Sequence, residues 1–185
     1  MSTALKNRMT ADEFLRWAEG KEGRWELHDG APVMMSPERM AHIRTKARAV
    51  AALEGAVRNA NLSCEVFADG LSVQVDSGAI FEPDASVVSG PRRSDDTIVI
   101  TDPTIVVEVL SPSTAAIDHG RKLSGYFSLP SLEHYLILDP ERRVAIHHKR
   151  GQGEAIETRV LASGAARLDP PGFEVAVDAP FAPAG

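Results

Sequence analysis

The stretch Thr104-Ile-Val-Val-Glu108-Val-Leu-Ser111 combines an apolar, β-branched run with a single carboxylate near its end. Such a run is typical of a central strand covered on both faces, and Pro112 is expected to stop it. Glu108 should therefore lie where the strand leaves the sheet, the place where α/β folds usually hold ligands and metals. A carboxylate buried there needs a charged partner, and the chain offers Asp84 and Lys122.

Length and composition are those of an ordinary globular chain, with 185 residues, of which 43% are hydrophobic and 25% charged. This length can bury one substantial core, so we expect a single domain over residues 1–185, with residues 179–185 as a frayed tail. The sequence has no apolar run close to the roughly 18 residues that span a bilayer, and its polar start lacks the apolar region of a signal peptide. We therefore expect a cytoplasmic protein.

The cysteine content and the net charge exclude few classes of function. Cys64 is the only cysteine, so no intramolecular disulfide can form, and its strand-like surroundings favour a small buried residue over a nucleophile. The formal net charge of −6 argues against a protein that must coat nucleic acid, although basic patches can exist on an acidic chain. Composition leaves the function open.

Capping and turn signals predict the order of the elements. Thr10 and Glu13 form a capping box, Asp29-Gly30 is a hairpin turn, and Ser36-Pro37 starts a helix. Segments between residues 63 and 88 alternate strands with turns, which fits an antiparallel meander. A strand, a helix and a strand then follow from Thr104, and such a crossover usually joins parallel neighbours. Helices are predicted at about residues 11–19, 38–59 and 114–127, and further peripheral strands at 143–148 and 154–161.

The second and longest predicted helix is locally basic. Its charges are those of Glu38, Arg39, Arg44, Lys46, Arg48, Glu54 and Arg58. A solvated face explains these residues somewhat better than phosphate contact does. His42 lies one turn from the helix start and could face the site if the helix crosses the sheet's exit. The predicted loop at 89–96 carries Arg92 and Arg93, which could meet a nucleic-acid backbone or simply decorate the surface.

Two carboxylates at neighbouring strand ends, Asp84 and Glu108, would make a hard oxygen site of the kind that holds Mg²⁺ or Mn²⁺. Zinc is not favoured, because His147 and His148 are adjacent on a predicted strand and point to opposite faces. The sequence also lacks a glycine-rich phosphate loop and a Gly-x-Ser-x-Gly elbow.

The helix after Glu108 carries Asp118, Lys122 and Tyr126 at four-residue steps, which places all three on one face. One interpretation is a surface ion pair between Asp118 and Lys122, worth only a few tenths of a kcal/mol. The other is that Lys122 swings back to the strand end and offsets negative charge in a transition state.

At these residues the chain resembles the Uma family of restriction endonucleases, within the PD-(D/E)XK nuclease superfamily. The resemblance extends over about residues 9–146. It rests on an ordered set of motifs: Trp25-Glu-Leu27, Asp29-Gly30, His42, Glu82-Pro-Asp84, Glu108-Val-Leu-Ser-Pro-Ser-Thr114, the Asp118, Lys122 and Tyr126 spacing, and Glu133-His-Tyr-Leu-Ile-Leu-Asp139.

The resemblance implies an α/β (α+β) fold with a restriction-endonuclease-like core, a mixed central sheet flanked by helices. It also implies metal-dependent hydrolysis of nucleic-acid phosphodiesters, with Asp84 and Glu108 as the Mg²⁺ or Mn²⁺ ligands. The superfamily name expects a lysine two positions after the acidic residue, where this chain has Leu110. The resemblance implies that Lys122, on the following helix, takes the role of that lysine. Tyr126 and Asp118 lie on the same face of this helix.

Two further residues, His42 and less securely Glu26, would lie near the site as supporting or proton-handling groups. The leading hypothesis is therefore a Mg²⁺- or Mn²⁺-dependent endonuclease acting on DNA, and a two-fold homodimer is the simplest arrangement for cutting both strands. The alternative is a non-catalytic domain of the same fold that binds nucleic acid or a protein partner, which the acidic net charge favours. A third possibility is hydrolysis of a small phosphoester.

Overall fold

The computed structural model describes residues 8–110 and 118–182, and of residues 118 and 119 only the backbone. Within these ranges the helices are α1 (Ala11–Ala18), α2 (Met40–Asn59), α3 (Asp118–Ser128) and a 3-10 helix at Ala179–Phe181. The strands are β1 (Trp25–His28), β2 (Ala31–Met34), β3 (Cys64–Ala68), β4 (Ser72–Asp76), β5 (Ala79–Phe81), β6 (Ala85–Ser89), β7 (Val99–Ile100), β8 (Ile105–Val109), β9 (His134–Asp139), β10 (Val144–Arg150), β11 (Ile156–Leu161), β12 (Ala165–Leu168) and β13 (Phe173–Ala176). No helix of the described residues is both long enough and apolar enough to cross a membrane.

The central sheet orders six strands as β11-β10-β9-β8-β6-β3. Strand β8 runs parallel to β9 and antiparallel to β6. The run from Ile105 to Val109 is thus a central strand, and its crossover through α3 joins parallel neighbours, as the sequence predicted. The fold is α+β with mixed sheets flanked by helices, which confirms the expected class.

Alternate residues of β8 and β9 face two different cores. On one face, Leu53 and Val57 of α2 pack against the sheet together with the β12–β13 hairpin. On the other face, Val106 and Ile137 pack against Tyr126 of α3 and against a second sheet. Because both faces are covered, β8 is apolar at every position except Glu108.

The second sheet brings another carboxylate to the exit of β8. It has the order β2-β1-β5-β4-β7, and β1 pairs with β5 through Leu27 and Ile80. The predicted hairpin turn between β1 and β2 is present, with positive φ angles of 50° at Asp29 and 76° at Gly30, as a type I′ turn requires. This hairpin carries Glu26 to the edge of the pocket described below.

Helix α3 approaches the second sheet unusually closely at Gly125. A Cβ atom built on Gly125 would lie 2.8 Å from Cε2 of Phe81, a distance that real Cβ atoms do not tolerate. Glycine therefore permits a helix position that a larger residue would push away. Because Lys122 and Tyr126 flank this contact, the approach sets where their side chains meet β8.

Two predicted elements differ from the structure. Helix α2 begins at Met40 with Arg39 as its N-cap and no side-chain capping bond, so the predicted cap at Ser36-Pro37 is wrong. The predicted meander over residues 63–88 is also wrong as a single unit. Strand β3 pairs with β6 in the central sheet, whereas β4 pairs with β5 in the second sheet. The turn through Gly70, with φ at 102°, carries the chain from one sheet to the other.

The C-terminal region is more ordered than its composition indicated. Residues Ala179–Phe181, expected to fray, form the 3-10 helix, and Pro180 is buried. The hairpin of β12 and β13 was not predicted, because each strand has only 4 residues and alternates buried with exposed positions over a short span. The hairpin covers one face of the central sheet.

Candidate active site

The exit of β8 opens into a pocket of about 610 Å³. Asp84 immediately precedes β6, and Glu108 is the fourth residue of the antiparallel neighbour β8, so both carboxylates reach the same end of the sheet. The second sheet contributes Glu26, and α3 contributes Lys122. His42, near the start of α2, closes another side. The structure thus brings together residues that are far apart in the sequence.

Lys122 lies between two carboxylates and joins the two sheets. Its Nζ donates to Oε1 of Glu108 at 3.0 Å and to Oε1 of Glu26 at 2.9 Å. The hydroxyl of Tyr126, one helical turn later, donates to the same oxygen of Glu108 at 2.8 Å. Two residues of one helical face therefore hold Glu108. The side chain of Asp118, the third residue predicted on that face, lies outside the described residues.

Asp84 is held from the other side by α2 and by the backbone. Its Oδ2 accepts the N–H of Val109 at 2.6 Å, which fixes the carboxylate against β8. Nζ of Lys46 lies 3.0 Å from Oδ1, and Nε2 of His42 lies 3.4 Å from Oδ2. Lys46 is only 6% exposed, so it is no part of a solvated basic face.

A network of charges continues beyond Lys46. Its ammonium also donates to Glu38 and Asp69, each at 2.7 Å. Arg24 reaches Asp69 at 2.8 Å and pairs with Glu82, the residue two positions before Asp84. Lys46 and Lys122 thus have equivalent positions on opposite sides of the site, and each pairs with two or more carboxylates.

Arg92 and Arg93 are not part of the pocket. They follow β6, whereas Asp84 precedes it, so the length of the strand separates them from the site. Arg92 pairs with Asp95 at 2.7 Å, and Arg93 pairs with Asp102 at 2.6 Å. The structure gives these arginines acidic partners of their own.

The arrangement can be compared with known proteins. The family model Uma2, described as "Putative restriction endonuclease", matches residues 11–182. The chain belongs to the Uma2 family.

Two curated relatives and one solved structure resemble this Uma2 chain. The uncharacterized protein slr1290 of Synechocystis sp. is 30% identical over 177 residues, which cover 92% of this chain and 90% of the relative. The uncharacterized protein sll1609 of the same organism is 30% identical over 105 residues, 55% of this chain and 59% of the relative. A crystal structure from Anabaena variabilis, described as a "putative nuclease belonging to DUF820", matches with a TM-score of 0.74 at 18% identity, over 94% of this chain and 97% of that one. This last likeness shows that the two chains share a fold.

The site of the Uma2 chain holds its carboxylates in different protonation environments. Burial would raise the pKa of Asp84, but the hydrogen bond from His42 and the charge of Lys46 hold it below its usual value. Burial would likewise raise the pKa of Glu26, but His28 and Lys122 hold it low. For Glu108, burial raises the pKa to about 7, with Lys122 opposing the shift and the charges of Asp84 and Glu26 adding to it.

Two residues of the Uma2 site, Glu38 and Lys46, escaped prediction from the sequence. They stand four residues to either side of His42, a spacing that aligns side chains on one helical face. Glu38 precedes α2, in a segment that lines the pocket, and it offers a ligand atom within 4.8 Å of those of His42 and Asp84. The four-residue spacing from His42 was the sequence signal that could have identified Glu38 and Lys46.

Proposed function

We propose that this chain is a metal-dependent endonuclease that hydrolyses phosphodiester bonds of DNA, using Asp84, Glu108 and Lys122. The single observation that carries the proposal is the convergence of these three side chains in one pocket of a chain that belongs to the Uma2 family. An enzyme site concentrates perturbed carboxylates and a buried ammonium group in this way.

The donor chemistry of the pocket suits a divalent cation. Asp84 and Glu108 are hard oxygen donors, and the pocket is roomy enough for water and a phosphate group to complete the coordination of Mg²⁺ or Mn²⁺. These two residues would hold the ion. A bound ion supplies Lewis-acid polarisation of the phosphate and a water that ionises near neutral pH.

The chain's own residues perform the remaining tasks. Lys122, fixed between Glu26 and Glu108, presents a preorganised positive charge to the phosphoryl oxygens, where charge develops in the transition state. Tyr126 and Lys122 both bond to Oε1 of Glu108 and so orient that carboxylate. Burial raises the pKa of the metal-free Glu108 carboxyl to about 7, and a bound cation would favour its ionised form.

DNA as the substrate is supported by the family's description and by the open pocket. We expect a homodimer, because two sites related by a two-fold axis suit cleavage of both strands. The acidic net charge of −6 favours the competing function, a nuclease fold that binds nucleic acid or a partner without cutting.

A cleavage assay separates these functions. Plasmid, linear duplex and single-stranded DNA, and RNA, would be incubated with Mg²⁺, with Mn²⁺ and with chelator. We expect metal-dependent cleavage of DNA by the wild-type chain, and a loss of at least about a hundredfold in Asp84→Asn and Glu108→Gln. Glu141→Gln, a change at an exposed carboxylate on the pocket wall, is the matched control.

Cleavage that persists in chelator would contradict the metal requirement. The absence of both cleavage and calorimetric Mn²⁺ binding would favour the binding module instead. Melting curves of the two variants must stay close to wild type, because a large drop would show that these carboxylates are needed for folding.

A further inference from the structure

We propose that the pocket contains a cation position with a nitrogen ligand, formed by Glu38, His42 and Asp84, which selects a divalent transition-metal ion such as Mn²⁺ over Mg²⁺. The three residues offer ligand atoms that all lie within 4.8 Å of one another. The position lies on the α2 side of Asp84, and Glu108 is not part of this group of ligand atoms. It deepens the proposed function, on which its catalytic meaning rests.

The spacing of donors fits the edge of a coordination shell. Nε2 of His42 and Oδ2 of Asp84 are 3.4 Å apart, which is long for a hydrogen bond to a carboxylate. Two ligands that each lie about 2.1 Å from one ion are separated by roughly 3.0–3.5 Å at octahedral or tetrahedral angles. The side chain of His42 is 12% exposed, so packing limits its movement.

One ring nitrogen of His42 has no partner among the described residues. Its Nδ1 is buried and has no hydrogen-bond partner among the described residues. If Nε2 carries the proton and donates to Asp84, then Nδ1 is a bare, desolvated acceptor. If Nδ1 carries the proton, then the lone pair of Nε2 faces a carboxylate oxygen. A cation held by Nε2 and Oδ2 would select the second tautomer and replace the repulsion between the lone pair and the carboxylate oxygen with two coordinate bonds, while Nδ1 keeps its proton.

The charge balance also calls for a cation. Among the described residues, three side chains with a permanent positive charge, Arg24, Lys46 and Lys122, pair with six carboxylates of the site and its network, which are Glu26, Glu38, Asp69, Glu82, Asp84 and Glu108. His28 also lies beside one of them, Glu26, at 2.8 Å. Lys46 bonds to only one oxygen of Glu38, its Oε1, at 2.7 Å. Among the described residues, the other oxygen of Glu38 accepts no hydrogen bond, so it is open to an ion.

The imidazole decides the preference between metals. Mg²⁺ takes oxygen ligands almost exclusively, whereas first-row transition ions accept imidazole nitrogen readily. A set of two carboxylates and one histidine therefore discriminates against Mg²⁺, while a purely carboxylate pair at Asp84 and Glu108 would not.

Metal binding to the full chain tests this inference without any measurement of activity. Calorimetry would compare Mn²⁺ with Mg²⁺, and pulsed electron paramagnetic resonance of bound Mn²⁺ would detect coupling to ¹⁴N. We expect Mn²⁺ to bind at least about tenfold more tightly than Mg²⁺, with ¹⁴N coupling. In His42→Phe, which removes the nitrogens but keeps a ring, the coupling should vanish and the Mn²⁺ affinity should fall about tenfold or more, while the Mg²⁺ affinity stays within about twofold.

Two further variants complete the design. Glu38→Gln should weaken Mn²⁺ binding, and Glu141→Gln, at an exposed carboxylate of the same pocket, should leave it unchanged. Glu108→Gln should keep the ¹⁴N coupling, since Glu108 lies outside this ligand set. His42→Gln replaces His42→Phe if melting shows that the latter does not fold.

The outcomes separate this inference from the proposed nuclease function. Bound Mn²⁺ without ¹⁴N coupling, or unchanged affinity in His42→Phe, overturns the nitrogen ligand even if the chain cleaves DNA. Coupled Mn²⁺ in a chain that cleaves no DNA or RNA supports the cation position and contradicts the nuclease function. Failure of both ions to bind overturns the inference, and the cleavage assay then decides the function alone.

Discussion

The two ends of the central strands treat buried titratable side chains in opposite ways. At the charged end, defined by Asp84, Glu108 and Lys122, every described carboxylate has a cationic or hydrogen-bonding partner beside an open pocket. At the histidine end, where β9 begins, Nδ1 of His134 lies 2.9 Å from Nε2 of His147. These two rings are 0% and 6% exposed, and burial lowers the pKa of each to about 4.

The difference is that one end retains charged side chains, whereas the other contains neutral ones. Burying a charge costs several kcal/mol unless partners offset it, so a chain that retains charges at one end of a sheet must supply those partners. The charged end supplies Lys46 and Lys122 from two different helices. At the histidine end, Asp169 and a backbone hydrogen bond with Pro170 favour the charged form of His134, but burial outweighs them, and the rings stay neutral at neutral pH. Retained charge next to a pocket is the pattern of a reactive site, whereas neutral packing stabilises the fold.

The largest effect at the charged end is expected when the positive charge of Lys122 is removed. Lys122→Met takes away the charge that we propose acts on the phosphoryl group, so we expect cleavage to fall by roughly a hundredfold. Mn²⁺ affinity should hold or rise slightly, because a nearby positive charge is lost. Stability should fall by as much as about 3–5 kcal/mol, because Glu26 and Glu108 lose their shared partner. Single-turnover cleavage per folded molecule, calorimetry and denaturation measure the three effects.

Arg121→Met is the matched control for Lys122→Met. Arg121 precedes Lys122 on α3, is half-exposed and pairs with Asp29 at 3.1 Å on the surface. Its loss should cost at most about 1 kcal/mol and leave the rate unchanged. Equal rate losses in both variants would mean that α3 acts only as a scaffold. The ion pair predicted between Asp118 and Lys122 is not used as the test, because the side chain of Asp118 lies outside the described residues.

Much of the charged end could be predicted from local sequence. The β-branched run around Glu108 predicts a covered central strand, and the four-residue spacing of Lys122 and Tyr126 predicts a shared helical face. Both features are periodic and depend only on neighbours in the chain. The position of Asp84 next to Glu108 follows from the same logic of strand ends, because antiparallel neighbours bring a start and an end together.

The other features of the site and the fold depend on tertiary packing, which the periodicity of the sequence does not encode. Lys46 resembles the exposed arginines of α2 in sequence, and only the approach of Asp69 and Asp84 buries it. The separation of β3 from β4 depends on β6 returning to pair with β3, a contact distant in the chain. Glu38 enters the site because α2 starts later than its cap signals indicate.

The histidine end should make the fold sensitive to acid. The folded pKa of about 4 for His134 and His147 lies below the ordinary value of 6.5, so the unfolded chain binds more protons between these values. The stabilisation is fully present above pH 6.5 and is lost as the pH falls toward 4. The loss should reach up to about 1.4 kcal/mol per pH unit for each histidine.

Urea denaturation from pH 7.5 to pH 4.5 measures this dependence. Replacing both rings together, in His134→Leu with His147→Leu, should flatten the curve between pH 6.5 and 4.5 even if the variant is less stable at pH 7.5. The cations near the pair, Lys149 and Arg159, lower these pKa values further, so Arg159→Gln should raise the lower limit of the pH-sensitive range and reduce the total loss, while the onset near pH 6.5 stays unchanged. An unchanged slope in the double variant would contradict the assignment of the acid sensitivity to this histidine pair.

The smallest effect concerns the glycine that lets α3 reach the charged end. Alanine normally stabilises a helix by about 1 kcal/mol relative to glycine. At Gly125, however, the added Cβ would lie 2.8 Å from Cε2 of Phe81, and overpacking of this kind costs roughly 1–3 kcal/mol. We therefore expect Gly125→Ala to lower the free energy of unfolding by about 1 kcal/mol, measured by urea denaturation.

Gly120 provides the matched control on the same helix, since no described residue lies within 4 Å of a Cβ added there. Gly120→Ala should stabilise the chain by up to about 1 kcal/mol, so the two substitutions should have opposite signs. Adding Phe81→Leu to Gly125→Ala should remove part of the penalty, because the ring edge that the new methyl group meets is gone, and a coupling of at least about 0.5 kcal/mol is expected for residues in contact. If Gly125→Ala instead stabilises as much as Gly120→Ala, then α3 does not press against β5, and the ion pairs of Lys122 with Glu26 and Glu108 would position it without that contact.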